Sequence, residues 1–260
     1  MITNIKKAII PITETDENFF PLTRCVAKEL LPIGDAPLIQ RVVDEAIECG
    51  VEKIVFIVSS EKKAVINHFL GLENVEDVTF QEKYSSVLFS ALSQKKKSES
   101  GYTVFRAKDE TSEDAFILSF PEVVFSGKKS SLEQLFSVYR TSQKSVAGIR
   151  KVSDEEVSMF DIVETEKIAN SFYKIKKVIK NPKKEETKSR LALTGRFIFT
   201  PMVFDYLKNA GVKTSIADVI NEMLGAGKTV YGHECEGEWF SIKDKKSFLS
   251  AQEFFLNNHF

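Results

Sequence analysis

Cysteine and histidine are scarce in this chain, and so is any excess of one charge; each shortage closes off a class of function. The three cysteines, Cys25, Cys49 and Cys235, are far apart and odd in number, so no disulfide framework or zinc-ligand spacing can be read from them. Three reduced thiols point to a cytoplasmic protein. The three histidines, His68, His233 and His259, are equally scattered and would need carboxylate help to hold a metal. The apolar runs are short and broken by charge, so none can span a bilayer. The stretch from Met1 to Lys7 has neither the apolar core nor the small-residue cleavage site of a signal peptide. Basic and acidic residues nearly cancel, 36 against 37, which argues against nucleic acid or an anionic membrane as partner.

What is present is ample core material. Hydrophobic residues make up 43% of 260 positions, and 21 are phenylalanine, enough for one sizeable α/β domain or two small ones. No linker or internal repeat divides the chain, so a single domain over residues 1–260 is expected. Lys7–Ile12 and Lys53–Val58 read as strands buried on both faces. Between them, Leu38–Cys49 carries Ile39, Val42, Val43, Ala46 and Ile47 at helical spacing, with Gly50 as C-cap. Thr13 to Asp35 reads mostly as loop, and Lys62–Phe69 as a second helix, which makes the βαβ pattern of a parallel sheet. Further on, strands are expected at Val78–Phe80, Tyr102–Ala107, Ala115–Phe120, Ser145–Ile149 and Thr229–Glu236, with alternating strands and the charged loop Lys183–Lys188 between about 151 and 195. Helices are expected at Ser86–Gln94, Ser131–Thr141, Met202–Ala210, Ile216–Leu224 and Lys246–Asn257, and a lysine-rich turn at Lys95–Ser100. Phe254, Phe255 and Phe260 are core candidates that could alternatively cover a partner surface.

The segment from Lys28 to Gln40, K-E-L-L-P-I-G-D-A-P-L-I-Q, closely resembles the K-E-M-L-P-hydrophobic-x-D-x-P-L-I-Q motif of bacterial UTP–glucose-1-phosphate uridylyltransferases, which belong to the sugar-nucleotide pyrophosphorylases. Val42 to Ala46, Gly50 to Val55, Asn67-His68-Phe69 and the run from Arg190 to Phe197 extend the likeness, in register from Lys7 to Leu256. The resemblance implies a Rossmann-like, GT-A-like nucleotidyltransferase fold of class α/β, with a mixed, mostly parallel central sheet flanked by helices. It implies attack of a glucose-1-phosphate oxygen on the α-phosphorus of UTP, with release of pyrophosphate. Such chemistry needs a backbone cradle for phosphates, basic residues on the triphosphate, and carboxylates holding Mg²⁺.

Each of those parts is altered. Where the family has G-x-G-T-R after the first strand, this chain has Glu14, Asp16, Glu17 and Asn18. A carboxylate a few ångströms from a triphosphate is repelled by about 1 kcal/mol per charge pair even in bulk water; the simplest reading is a solvated acidic loop, with a substitute cation site as the alternative. Lys28 is the retained basic residue of the motif, with pairing to Glu14, Asp16 or Glu17, or solvent exposure, expected ahead of phosphate binding; Arg24 adds charge nearby. Of the two metal carboxylates that the resemblance implies, one corresponds to Glu122 in Phe120-Pro121-Glu122-Val123, and the other is replaced by Ser241, with Lys243 close by. One carboxylate makes a poor Mg²⁺ site. The sugar and base pockets read Lys180-Asn181, Asp161, Lys213 with Asp218, and Phe89, which is expected in the core ahead of stacking on a base; Gly195 survives with Arg196 beside it.

The vestigial set is therefore Lys28 and Glu122 at the reacting end, and Arg24, Phe89, Lys180, Gly195, Arg196 and Asp218 around it. Three functions compete. A silent or weak homologue would act structurally or in regulation, partnered by an active sugar-nucleotide enzyme and needing no cofactor. An active uridylyltransferase would use UTP, glucose-1-phosphate and Mg²⁺ to make UDP-glucose. A binding module would sense a less anionic ligand, with Lys180, Lys213 and Lys243 converging on Glu122. Family members commonly self-associate, so a homo-oligomer is expected.

Overall fold

In Lys7–Ile12 successive side chains leave for opposite layers: Ala8, Ile10 and Ile12 enter one core and Ile9 the other. That two-sided burial is why the strand reads as an unbroken apolar run. In a computed structural model, residues 5–70, 78–94, 98–111, 113–208 and 211–258 are described. The strands are β1 (Lys7–Ile12), β2 (Pro32–Ile33), β3 (Ala36–Pro37), β4 (Lys53–Ser59), β5 (Leu88–Gln94), β6 (Phe116–Ser119), β7 (Val123–Ser126), β8 (Ser145–Lys151), β9 (Ile162–Ala169), β10 (Phe172–Ile179), β11 (Leu191–Phe199), β12 (Val230–Glu234) and β13 (Glu238–Ser241). The helices are α1 (Leu38–Glu48), α2 (Lys63–Asn67), α3 (Val78–Tyr84), α4 (Ser100–Phe105), α5 (Lys108–Thr111), α6 (Ser131–Ser142), α7 (Val203–Leu207), α8 (Ile216–Gly225) and α9 (Lys245–Asn258).

A nine-stranded sheet runs in the order β5-β4-β1-β6-β11-β8-β12-β10-β9. Pairings are parallel from β5 to β6 and between β8 and β12, and antiparallel at β11 and β10; β10 and β11 therefore run against the others, and the sheet is mixed but mostly of one direction. Helices α1 and α6 cover one face through Ile39, Val42, Val43, Ala46, Leu132, Leu135 and Tyr139. Helices α4, α7 and α8 cover the other through Val104, Val203, Leu207, Ile216, Ile220 and Met223.

Three expected elements exchange type. Val78–Phe80 belongs to a helix, α3, because Phe80 and Tyr84, four apart, both pack on the aromatic cluster around Phe69. Ser86–Gln94 is largely strand: Leu88–Gln94 forms the sheet edge, parallel to β4 in an unbroken register, and an edge strand with Leu88 60% exposed carries only a diluted apolar pattern. Tyr102–Ala107 lies in and just after helix α4, whose Gly101 sits so close to the Thr214 carbonyl that a Cβ would come within 2.7 Å. The ribbon of β7 and β13 was not expected at all. Its strands pair Val123 with Ser241 and Phe125 with Trp239, residues remote in sequence. Phe255 is buried, and Phe254 packs against its cluster; Phe260, His259 and Lys95 to Lys97 lie outside the described residues. Among the described residues, no helix is long and apolar enough to cross a membrane.

Candidate functional site

Two cavities open at the carboxyl ends of the parallel strands, where ligands gather in folds of this kind. One, of about 320 Å³, is bounded by the segments after β1 and β6, by β11 and by β13; Glu14, Phe120, Glu122, Phe160, Asp161, Gly195, Trp239, Ser241 and Lys243 all face it. The second, of about 600 Å³, is walled by residues 13–17, the stretch from Phe20 to Leu30, and the ends of β4 and β5. The acidic loop 13–18 is the partition between them. A larger cavity, about 880 Å³, lies elsewhere, between α1 and α6.

The partition is held together by internal cations. Lys28, 3% exposed, donates from Nζ to Glu14 Oε2 at 3.1 Å, and its backbone N–H donates to Asp16 Oδ2 at 3.0 Å. Lys62 Nζ donates to Asp16 Oδ1 at 2.6 Å and to both carboxylate oxygens of Glu29, at 2.7 and 2.9 Å. Thr23 Oγ1 donates to the Asp16 carbonyl. Phe19, buried at the end of the 3₁₀ turn Glu17–Phe19, anchors the far side of the loop. Burial alone would lower the Lys28 pKa, but Glu122, Glu14 and Glu29 overcome it and raise it above the usual lysine value. Burial pushes the Glu29 carboxyl up, against the pull of Lys62 and Lys28. The loop is thus only in part a solvated acidic loop: Glu17 is exposed, but the Asp16 side chain is 12% exposed and clamped. Of the two outcomes expected for Lys28, the structure has pairing and not solvent exposure.

Across the partition, Glu122 is fixed through its main chain, whose carbonyl accepts from the Ile242 N–H at 2.7 Å. Its Oε2 is buried and has no hydrogen-bond partner among the described residues. Burial, and then Glu14, lift its pKa to about 7 against the opposing pull of Lys28 and Lys243. Lys243 donates to the Met159 carbonyl at 2.6 Å and sits 4.1 Å from the centre of the Phe160 ring. Burial lowers its pKa, opposed by Glu122, Glu14 and Asp161. Asp161 is raised by burial and accepts the Asn181 backbone N–H. Trp239 packs against Phe160 with ring centres 5.0 Å apart and planes tilted by 56°, and donates Nε1 to the Thr194 carbonyl. Gly195 has φ +75°, and a Cβ there would meet Val123 and Phe120 at 3.3–3.4 Å.

The other residues marked by sequence fall away from this cleft. Arg196 is buried behind it: Nε reaches Glu45 Oε2 at 2.9 Å, and the two terminal nitrogens hold the Phe120 and Val123 carbonyls. Phe89 stacks on Phe69 and Phe56 in the aromatic core at the sheet edge. Lys180 is tied to Asp218 at 2.9 Å, and Asp218 closes a capping box with Ser215 at the start of α8. Lys213 is exposed and does not border the cavity, so of the three lysines expected to converge on Glu122 only Lys243 does. Arg24 is exposed beside the second cavity. Lys62 and Trp239 were not anticipated: a lysine opening a short helix and a lone tryptophan after a glutamate carry no local mark of a site.

A hard divalent cation takes about six oxygen ligands. Glu122 offers one orphaned oxygen, but Ser241 is its neighbour in place of a carboxylate, and two ammonium groups already interact with it. Among the described residues no cluster of three or more metal-ligating side chains forms. The residues present do not fit Mg²⁺.

The nucleotidyl transferase family model matches residues 16–258. UTP–glucose-1-phosphate uridylyltransferase 1 of Staphylococcus saprophyticus is 30% identical over 95% of this chain and 91% of its own, and the UTP–glucose-1-phosphate uridylyltransferase of Staphylococcus epidermidis is equally similar. Among solved structures, a UDP-glucose pyrophosphorylase complexed with UDP-glucose superposes with a TM-score of 0.89 at 26% identity, covering 97% of this chain and 99% of that one. A UTP-bound UGPase from Acinetobacter baumannii gives 0.85 at 25%, covering 96% and 93%.

Proposed function

This chain belongs to the nucleotidyl transferase family, in the branch of the UTP–glucose-1-phosphate uridylyltransferases, and from that premise we propose that it is a silent or very weak member acting in a structural or regulatory role. What carries the reading is one arrangement: the basic groups at the strand ends, Lys28 and Lys62, already neutralise Glu14, Asp16 and Glu29. A triphosphate entering here would have to lie against carboxylates or take a lysine from its partner. Taking Lys62 from Asp16 and Glu29, a buried set, costs about 3–5 kcal/mol, and 3 kcal/mol alone is roughly a hundredfold in affinity. The missing second metal carboxylate removes the other source of charge neutralisation.

The role fits a cytoplasmic protein with reduced thiols, self-associating or docked on an active sugar-nucleotide enzyme, in sugar-nucleotide metabolism. The test is to incubate the protein with UTP, glucose-1-phosphate and Mg²⁺ and follow pyrophosphate and UDP-glucose. The expected result is no release above the protein-free control; turnover that disappears in Glu122→Ala refutes the proposal.

The alternative is an active uridylyltransferase. The names of relatives at 30% identity over nearly the whole chain favour it, as does the unengaged oxygen of Glu122. Calorimetric titration with UTP and Mg²⁺ separates the two, since this reading requires saturable binding of the nucleotide.

A further inference from the structure

We propose that the cleft beside Glu122 binds an uncharged polyhydroxylated ring, an unphosphorylated sugar or cyclitol, without a metal ion. The inference deepens the reading of a silent transferase and rests on it.

The first observation is the orphaned Oε2 of Glu122. A buried acceptor with no donor is costly and rare in folded proteins, and this one borders the cavity of about 320 Å³. What the position lacks is a hydrogen-bond donor, which a hydroxyl supplies. The second is the wall. Trp239, Phe160 and Phe120 line the cavity, so a few convergent polar groups sit on an apolar, aromatic surface, the usual build of a small-molecule site. A ring with hydroxyls on its rim and C–H bonds on its faces matches both.

The third observation is charge. Glu99, Glu122 and Asp161 face the cavity against Lys243, while Glu14 is already matched by Lys28. Lys243 itself is engaged with the Met159 carbonyl and the Phe160 ring. A phosphate would meet an excess of negative charge in a partly desolvated site, where repulsion is stronger than in water; a neutral ring incurs none of this. Lys243 can offer a remaining N–H to a ring hydroxyl, since an ammonium has three. It also supplies the positive charge that would otherwise call for a metal.

The chain has one tryptophan, and it forms part of this wall, so its emission reports occupancy. Glucose, galactose, mannose and myo-inositol are titrated in EDTA and again in Mg²⁺, beside glucose-1-phosphate and UTP. At least one neutral compound should shift Trp239 emission saturably, to the same extent with and without Mg²⁺, and bind at least about tenfold tighter than the phosphorylated probes. In Glu122→Gln the preference for the neutral compound over glucose-1-phosphate should narrow by about tenfold, and Asp161→Asn should narrow it in the same direction. Both ratios are read only on protein whose circular dichroism matches wild type. A response to UTP or glucose-1-phosphate stronger than to every neutral probe, a requirement for Mg²⁺, or no response to any neutral probe overturns the proposal. UDP-glucose formation is followed on the same preparation. Turnover there sinks the silent-transferase reading, whereas absence of both turnover and sugar response sinks only this inference.

Discussion

Arg196 donates from Nε to Oε2 of Glu45 across 2.9 Å, and the two side chains are 1% and 9% exposed. The same guanidinium holds the carbonyls of Phe120 and Val123 at 2.8 and 2.7 Å, so one cation clamps both ends of the turn that presents Glu122. Glu45 also accepts from the Ser131 hydroxyl and the Leu132 N–H at the start of α6. Removing one member of such a pair strands a buried charge. Arg196→Met should lower unfolding free energy by about 3–5 kcal/mol, measured from the urea midpoint, and Glu45→Leu in the same background should recover a substantial part of it.

Lys62 presents the same physics on the other side of the cleft. It is the shared donor to Glu29 and Asp16, and the Glu29 carboxylate is itself buried. Lys62→Met should cost about 3–5 kcal/mol, and loop 13–18 should lose amide protection in hydrogen exchange. The double change with Glu29→Leu should be milder than the single one. A single change as harmless as an ordinary surface substitution would show that the buried pair does not hold the loop.

Gly195 lies in the left-handed region with Val123 and Phe120 at the position of a Cβ. Gly195→Ala should destabilise by about 1–2 kcal/mol from the backbone conformation alone. Because the crowding falls on the cleft wall, the emission of Trp239 should change as well.

Burial holds the His68 imidazole below its ordinary pKa, against a partial pull upward by Asp44. The ring shares a 3.0 Å hydrogen bond with Gln40 and meets Phe69 and Phe80 edge-on. On acidification the unfolded chain takes up this proton first, at about pH 6.5, so between that value and the lower folded one the unfolded state binds more protons. Stability from His68 is therefore present above pH 6.5 and lost as pH falls through that window. The gap in unfolding free energy between wild type and His68→Gln should be widest at about pH 7.5 and shrink toward pH 5.5; a gap that stays constant or widens contradicts this.

Much of the framework was legible because burial leaves a periodic trace. Strands β1 and β4 lie under helices on both faces, so every position between their ends is apolar; α1 and α6 show their buried stripe every three or four residues. The trace fails where an element is short or half covered. Seven residues of α3 carry one aromatic pair, and edge strand β5 owes its state to the ladder with β4 and not to its own pattern. The ribbon of β7 and β13 joins segments whose pairing no local rule could supply. At the site, Glu14, Asp16, Glu122 and Lys243 were visible as departures from a family motif, and Lys28 as a residue retained in it. Lys62 was not, since lysine is ordinarily a surface residue and only its partners reveal it as internal. Arg196 was marked for its place beside Gly195, whereas the backbone turns its side chain into the core; Phe89 lies in the core, as expected ahead of stacking on a base.

Lys28 and Lys62 are built-in counter-ions, attached to the chain and shielded from water. Mobile salt weakens attraction between charges that share the solvent, but reaches the enclosed pairs of Lys62 with Glu29 and Asp16 far less. The loop between the two cavities should therefore hold its shape in brine as in dilute buffer. Exposed pairs such as Lys6 with Glu52 should instead loosen as ionic strength rises.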